Sequence, residues 1–326
     1  MAKNMPLDVS SSTAGGTLDN STEAATKQSQ PYKQEWRKFL SSPGILFLVL
    51  VTQVPFALAI WFSFTNWNLL RPGSEGFIGF SRMWRNYSRI LSNVDFIPVL
   101  INTVVLTLSV VVITFVLGLG FALLLNRPFV GRALARTLFI SPFLMMPVAA
   151  AVLWKNIMLD PSFGFVSYYL RFLGIQNFYA LEAFPMFTVI SIVSWQWTPF
   201  VMLILLAGLQ SLPESNLEAA KIDGASGFSM FRHIIFPHLT RFVEIALLLE
   251  TIFILSEFGT IFVTTAGGPG IRTTNLPYQI YLEAFSRWNV GRASAYGIFA
   301  VILANIVIML FLNVLRRNSK SSEVNI

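Results

Sequence analysis

Residues 98–125 read PVLINTVVLTLSVVVITFVLGLGFALLL, an uninterrupted run without a single charged side chain. A helix needs about 20 predominantly apolar residues to cross a hydrocarbon core roughly 30 Å thick, and this run exceeds that. Strands of a membrane barrel would alternate apolar and polar residues over about ten positions; here the apolar character is continuous, so the segment is helical. Five further stretches of the same kind lie on either side of it, at about 44–64, 138–158, 184–209, 242–265 and 293–315. The third is the weakest, because Pro142 and Pro147 interrupt it. The expected fold is all-α, a polytopic membrane protein with six transmembrane helices occupying residues 41–318.

Composition points the same way. Of 326 residues, 54% are hydrophobic and only 12% are charged, against about 25% charged in a typical soluble domain. Half that polar supply cannot coat a globule of this size. There is no Cys, which excludes a disulfide scaffold. His233 and His238 are too few for a zinc site, which needs three or four protein ligands, so no metal is expected. The net charge of +7 does not indicate nucleic acid, because the basic residues are scattered between apolar runs rather than gathered on one face.

Residues 1–40 are rich in Ser, Thr, Gln and Ala and poor in large apolar residues, the signature of a disordered tail. The first apolar run comes too late for a cleavable signal peptide. An even number of spans places both termini on one side, and basic residues decide which. The two tails and the loops after the second and fourth spans hold 14 of the 23 Lys and Arg residues. Both termini, including the short tail 319–326, are therefore expected in the cytoplasm.

Between the fourth and fifth spans, residues 212–240 form a polar loop with helical character. Leu212-Pro213-Glu214 suits a helix start, Leu217 to Ile222 is strongly helix-forming, and Gly224 is a natural corner. A second short helix is expected to begin near Ser226 and to close at Pro237. Its apolar residues, with those of the first helix, are Leu217, Ala220, Ile222, Phe228, Phe231 and Ile234.

Within this loop stands Glu218-Ala219-Ala220, then three residues ending in Asp223, then Gly224, then nine residues, then Ile234-Ile235-Phe236-Pro237. The pattern resembles the signature of permease subunits of binding-protein-dependent ABC importers, with Phe236 where Leu is usual. The resemblance implies a cytoplasmic coupling helix that docks into a cleft on a separate ATPase subunit. Glu218 would be the polar anchor, Gly224 the sharp turn, and Ala219, Ala220, Asp223, Ile234 and Pro237 part of the same docking element. It also implies the partners: a second homologous permease, two ATPase subunits that hold the ATP and Mg, an external substrate-binding protein, and the lipid of a bacterial inner membrane. No cofactor is implied for this chain, which has no GxxxxGK[ST] phosphate loop; it is expected to be a transport subunit and not an enzyme.

Other stretches resemble the carbohydrate branch of these permeases, which includes the maltose, glycerol-phosphate and polyol systems. They are Trp61-Phe62-Ser63-Phe64, Gly79-Phe80 with Asn86-Tyr87, Asn102-Thr103, Asp160-Pro161-Ser162-Phe163-Gly164 and Thr265-Ala266-Gly267-Gly268-Pro269. In appearance the chain is closest to sorbitol/mannitol-type permeases. The substrate implied is a small carbohydrate or polyol. Carried over from the maltose-type permeases, residues around Pro199 and just before the Gly-Gly-Pro loop would line the sugar site: Trp195, Gln196, Phe200, Phe253, Ile254 and Glu257.

Glu250 and Glu257 are costly inside a membrane. Seven residues is nearly two helical turns, so on a continuous helix both would share a face. They could accept hydrogen bonds from sugar hydroxyls, pair with cationic or polar groups, or relay protons. The last option would make the chain an ion- or proton-coupled secondary carrier, although such carriers usually carry an internal repeat, which is not evident here.

Overall fold

The computed structural model describes residues 31–74, 76, 83–175 and 178–323. Most of the expected N-terminal tail, and Gly79-Phe80, lie outside the described residues. The chain divides into two compact units, residues 1–57 and 58–326. The described part of the first belongs to helix α1, Pro31–Ser63, whose apolar portion starts at Pro43 and is long enough to cross a membrane. Residues 31–40 were expected to be disordered and are helical instead. The run Lys33 to Phe39 contains no Gly or Pro, and the helix passes through Pro43 into the apolar run.

In the second unit, α2 spans Arg85–Leu91 and α3 Phe96–Asn126. Helix α4, Arg132–Leu144, is followed by α5, Pro147–Leu153, and a π turn, Trp154–Met158. Next come α6, Phe165–Phe172, α7, Ala180–Ala183, and α8, Pro185–Gln210. Helices α9, Glu214–Ile222, and α10, Gly227–Met230, form the polar loop. A second π turn, Phe231–Ile235, leads into α11, Phe236–Leu255. After α12, Gly259–Thr264, and α13, Leu276–Tyr281, a third π turn precedes the last helix, α14, Val290–Glu323.

Four helices are long and apolar enough to cross a membrane by themselves: α1 from Pro43, α3, α8, and α14 as far as Asn313. The expected third span is not straight. It is the bent pair α4 and α5, turned by 102° at Met145-Met146. Pro147 opens α5 without needing an N–H partner, and the residue before a proline avoids the helical region; Met146 accordingly has ψ 138°. The expected fifth span, 242–265, is also divided. Helix α11 begins earlier, at Phe236, and stops at Ser256.

The core of the second unit is built on α3, α8 and α11, where Ala122, Val201, Met202, Leu205, Leu239 and Ala246 are buried together. In a bilayer, lipid tails are as apolar as Leu, so close approach of backbones matters more between spans than transfer of apolar surface. Gly118 provides that approach: a Cβ there would stand 3.1 Å from Val201 and from the Met202 N. Gly120, two residues on, has open space beside it and contributes no such contact.

The motifs that resemble the carbohydrate branch are largely ties between segments. Asn86 donates to the carbonyls of Ser63 (2.8 Å) and Thr65 (2.7 Å). Asn102 donates to those of Ile271 (2.8 Å) and Thr274 (3.0 Å), and the Thr103 hydroxyl accepts from the Leu276 N–H at 3.0 Å. Asp160 turns the chain by accepting from the backbone of Ser162 and Phe163. Each side chain satisfies backbone groups that no helix satisfies, the condition for burying irregular chain. Buried Glu283 is neutralised by Arg287 and by Arg292 at 3.1 Å, and accepts from Gln279.

Candidate functional site

The polar loop is an elbow between two long helices, and its geometry follows from one residue. Helix α9 ends at Asp223, and Gly224 adopts φ +77°. The Ala225 N–H then donates to the Ala220 carbonyl (2.9 Å) and the Gly224 N–H to that of Lys221 (3.1 Å). These paired bonds are a Schellman closure, which requires a left-handed residue after the cap. The chain restarts at once: the Ser226 hydroxyl accepts from the Ser229 N–H and caps α10.

Pro237 does not end this second helix, as the sequence suggested. The π turn Phe231–Ile235 runs straight into α11, with Pro237 in its first turn. Proline lacks the N–H that would bond back one turn, and the wider π turn immediately upstream accommodates that loss without stopping the helix. The elbow is therefore continuous with α11, and Ile234 and Pro237 lie where it joins that helix rather than at its turn. The tip itself carries Ile222 and Phe228, 86% and 72% exposed, on either side of Gly224. Ala220 is buried at its back, and Leu217, Phe231 and Ile234 are half-buried. Ala219 and Asp223 are exposed, as is Glu218, whose carboxylate makes no hydrogen bond or ion pair among the described residues. His238 links the end of α8 to the start of α11 through Ser211 (3.0 Å) and the Gly208 carbonyl (3.2 Å). His233 lies 3.0 Å from the Ser229 carbonyl.

The seven residues expected at a sugar site do not form one cluster. Phe200 and Phe253 meet, with ring centroids 6.5 Å apart, in an aromatic group completed by Trp197, stacked on Phe253 at 5.2 Å, and Phe143. Phe253 is half exposed. Trp195 points elsewhere, into a cavity of about 610 Å³ bounded by α3, α4 and α8, whose lining is almost wholly apolar. Gln196 is buried and donates to the Met145 carbonyl at 2.9 Å, so it props the bend between α4 and α5. Ile254 is core, packed with Leu106, Val189 and Val193.

The two carboxylates do not share a helix face, because α11 ends between them. Glu250 is fully buried with both oxygens lacking a hydrogen-bond partner. The hydroxyl of Thr114, a neighbour of this carboxyl, donates instead to its own helix at the Val110 and Val111 carbonyls. Glu257 occupies the break and accepts from the Thr260 N–H at 2.8 Å, while its backbone carbonyl accepts from Asn275 at 2.5 Å. Sequence reading missed Trp197, the centre of the aromatic group. It also missed Lys155, which donates to the Val263 carbonyl at 2.8 Å and ties the bent pair to α12.

Residues 101–321 match the model of the family described as binding-protein-dependent transport system inner membrane component. The chain is 34% identical over 266 residues to the probable ABC transporter permease protein y4oQ of Sinorhizobium fredii, covering 81% of this chain and 84% of that one. It is 38% identical over 220 residues to the trehalose/maltose transport system permease protein MalF of Thermococcus litoralis, covering 67% and 72%. Among solved structures, a chain of a bacterial alginate ABC transporter in complex with an alginate pentasaccharide-bound periplasmic protein superimposes with a TM-score of 0.72 at 22% identity, over 88% of this chain and 96% of that one. The two chains therefore share one fold. The chain belongs to the binding-protein-dependent transport system inner membrane components, the multi-pass permease subunits of ABC transporters, and is a transport subunit rather than an enzyme.

Proposed function

We propose that this chain is one permease half of an ATP-driven importer for a small carbohydrate or polyol delivered by an external binding protein. The elbow at Gly224 carries this reading. It presents two apolar side chains, and the Glu218 carboxylate without a partner among the described residues, beyond the end of α8, and it is continuous with α11. A cleft on a cytoplasmic ATPase that takes Ile222 and Phe228 would move α11 directly when it closes. Two ATPase subunits, a second permease half and cytoplasmic termini complete this assembly.

The carbohydrate reading rests on the trehalose/maltose relative and on the aromatic group of Trp197, Phe200 and Phe253. Aromatic faces suit the apolar faces of sugars. Glu257, buried at the helix break beyond Phe253 with one oxygen on the Thr260 N–H, would meet a hydroxyl with its other oxygen. Glu250, Gln196 and Ile254 are buried in other roles, and Trp195 faces an apolar cavity ill matched to a polyhydroxylated ligand. Nothing in the split between Glu250 and Glu257 favours a proton relay.

Uptake of radiolabelled trehalose, maltose and sorbitol in cells carrying the whole system tests both parts. The expected result is uptake of one of them that stops when hydrolysis by the ATPase is blocked and persists when the proton gradient is collapsed. The reverse pattern would contradict the ATP-driven reading, and transport of a non-carbohydrate alone would contradict the substrate class.

A further inference from the structure

Helix α6 inverts the usual arrangement of a surface helix. Phe165, Tyr168, Tyr169 and Phe172 are spaced i, i+3, i+4 and i+7, which places them on one face, and that face points outward: each is between 54 and 85% exposed. The inward face carries the smaller Val166 and the buried Ser167. Phe165 and Tyr169 pack edge to face at 4.9 Å, as do Tyr168 and Tyr169 at 5.7 Å, so the stripe is a continuous aromatic surface. Apolar patches of this kind normally mark an interaction site.

The position of α6 identifies what covers it. Val166 packs in the same small cavity as Phe187, Ser191 and Ile192 of α8. Ile192 is seven residues into that span, about 10 Å along its axis at roughly 1.5 Å per residue. Helix α6 therefore lies against the first two turns of a membrane span, at the end opposite the elbow. The other face of a helix held at that depth meets the boundary between headgroups and acyl chains. Its chemistry fits: rings bearing hydroxyl tips are enriched at this level, and Arg171 is the only charged side chain of the helix. Arg171 bonds to the Ser162 carbonyl at 2.8 Å, at the polar end of α6.

We infer that α6 is an interfacial helix whose aromatic stripe lies in the headgroup–acyl boundary of the leaflet opposite the elbow, anchoring the bent pair and α8 to the membrane surface. Its occupant is lipid, and it rests on the membrane placement of the chain but not on the substrate or the ATPase.

Because the chain has no Cys, single spin labels can be placed at Tyr169→Cys and Phe172→Cys in the full chain, reconstituted in vesicles of phosphatidylethanolamine and phosphatidylglycerol. Collision rates with oxygen, which concentrates in the acyl region, are compared with those of a water-soluble nickel chelate. Leu108→Cys, on the exposed side of α3, serves as the in-membrane control. The expected result is oxygen collision several-fold above chelate collision at both α6 positions, with a smaller ratio than at position 108. Chelate collision dominating would show that the stripe faces water. Protection from both reagents, or protection appearing only when an external binding protein or second permease is added, would show that protein covers it. Either outcome overturns the proposal. A label at position 108 open to the chelate would remove the membrane placement itself, and the proposal with it.

Discussion

Replacing Gly224 with valine should lower import about tenfold or more while leaving the chain inserted in the membrane. At φ +77° an L-residue is strained, and no atom lies within 4 Å of the position a Cβ would take, so the penalty is purely conformational. Its size is about 1–2 kcal/mol for an ordinary residue and more for a β-branched one, which rarely tolerates positive φ. The relief is to unwind the closure made by Ala225 and Gly224 on Ala220 and Lys221, which separates Ile222 from Phe228 and blunts the tip. A factor of ten accompanies each 1.4 kcal/mol or so, and a docking element that must refold for each engagement loses at least about that. Gly224→Asn, whose short polar side chain visits the left-handed region, should keep uptake within about twofold of the parent. Uptake and substrate-stimulated ATP hydrolysis, measured side by side, check the pair. Equal loss in both variants would mean that the glycine is needed for something other than its backbone angle.

The largest effect on stability is expected at Gly208, where α8 meets the start of α11. A Cβ there would stand 2.6 Å from the Cγ of Phe242 and 2.9 Å from a methyl carbon of Leu239. The first ring atom of Phe242 cannot swing clear without moving its backbone. Overpacking of this kind costs about 1–3 kcal/mol. Here it also pries apart the joint at which His238 reaches the Gly208 carbonyl. Gly208→Leu should therefore lower the thermal midpoint in detergent by several degrees and yield poorly assembled protein, with Gly208→Ala intermediate. Gly120→Ala supplies the opposite sign, because that helical glycine has open space beside it and alanine favours a helix by about 1 kcal/mol. If all three variants unfolded together, the close contact between α8 and α11 would be wrong.

Much of this architecture was legible because it depends on run length and local chemistry. The run at 98–125 becomes α3 within a residue or two at each end, and the capacity of Gly224 to end α9 is a property of glycine itself. What escaped the sequence depends on distant partners. The weakness of the third span was visible in Pro142 and Pro147. Its 102° bend is held by Gln196, fifty-one residues away in the chain. The break after Leu255 has no proline or glycine before Gly259 to announce it. It is held by Asn275 on the Glu257 carbonyl and by the Glu257 carboxylate on Thr260. Because the helix ends there, Glu250 and Glu257 do not share one face. For the same reason the seven expected contact residues scatter. Sequence neighbours such as Gln196 and Trp197, about 100° apart around the helix, serve a backbone prop and an aromatic stack respectively, and the sequence alone does not say which face meets a ligand.

On the reading proposed above, the tip of the elbow sits in a nucleotide-hydrolysing subunit on the cytoplasmic side. The most direct measurement places a photo-crosslinking amino acid at Phe228 in the full-length chain, irradiates intact membranes of the native assembly, and identifies the adduct by mass. The account predicts a covalent product with the ATPase subunit, its yield changing when nucleotide is bound. Adducts formed only with lipid or with a protein on the external face would contradict it.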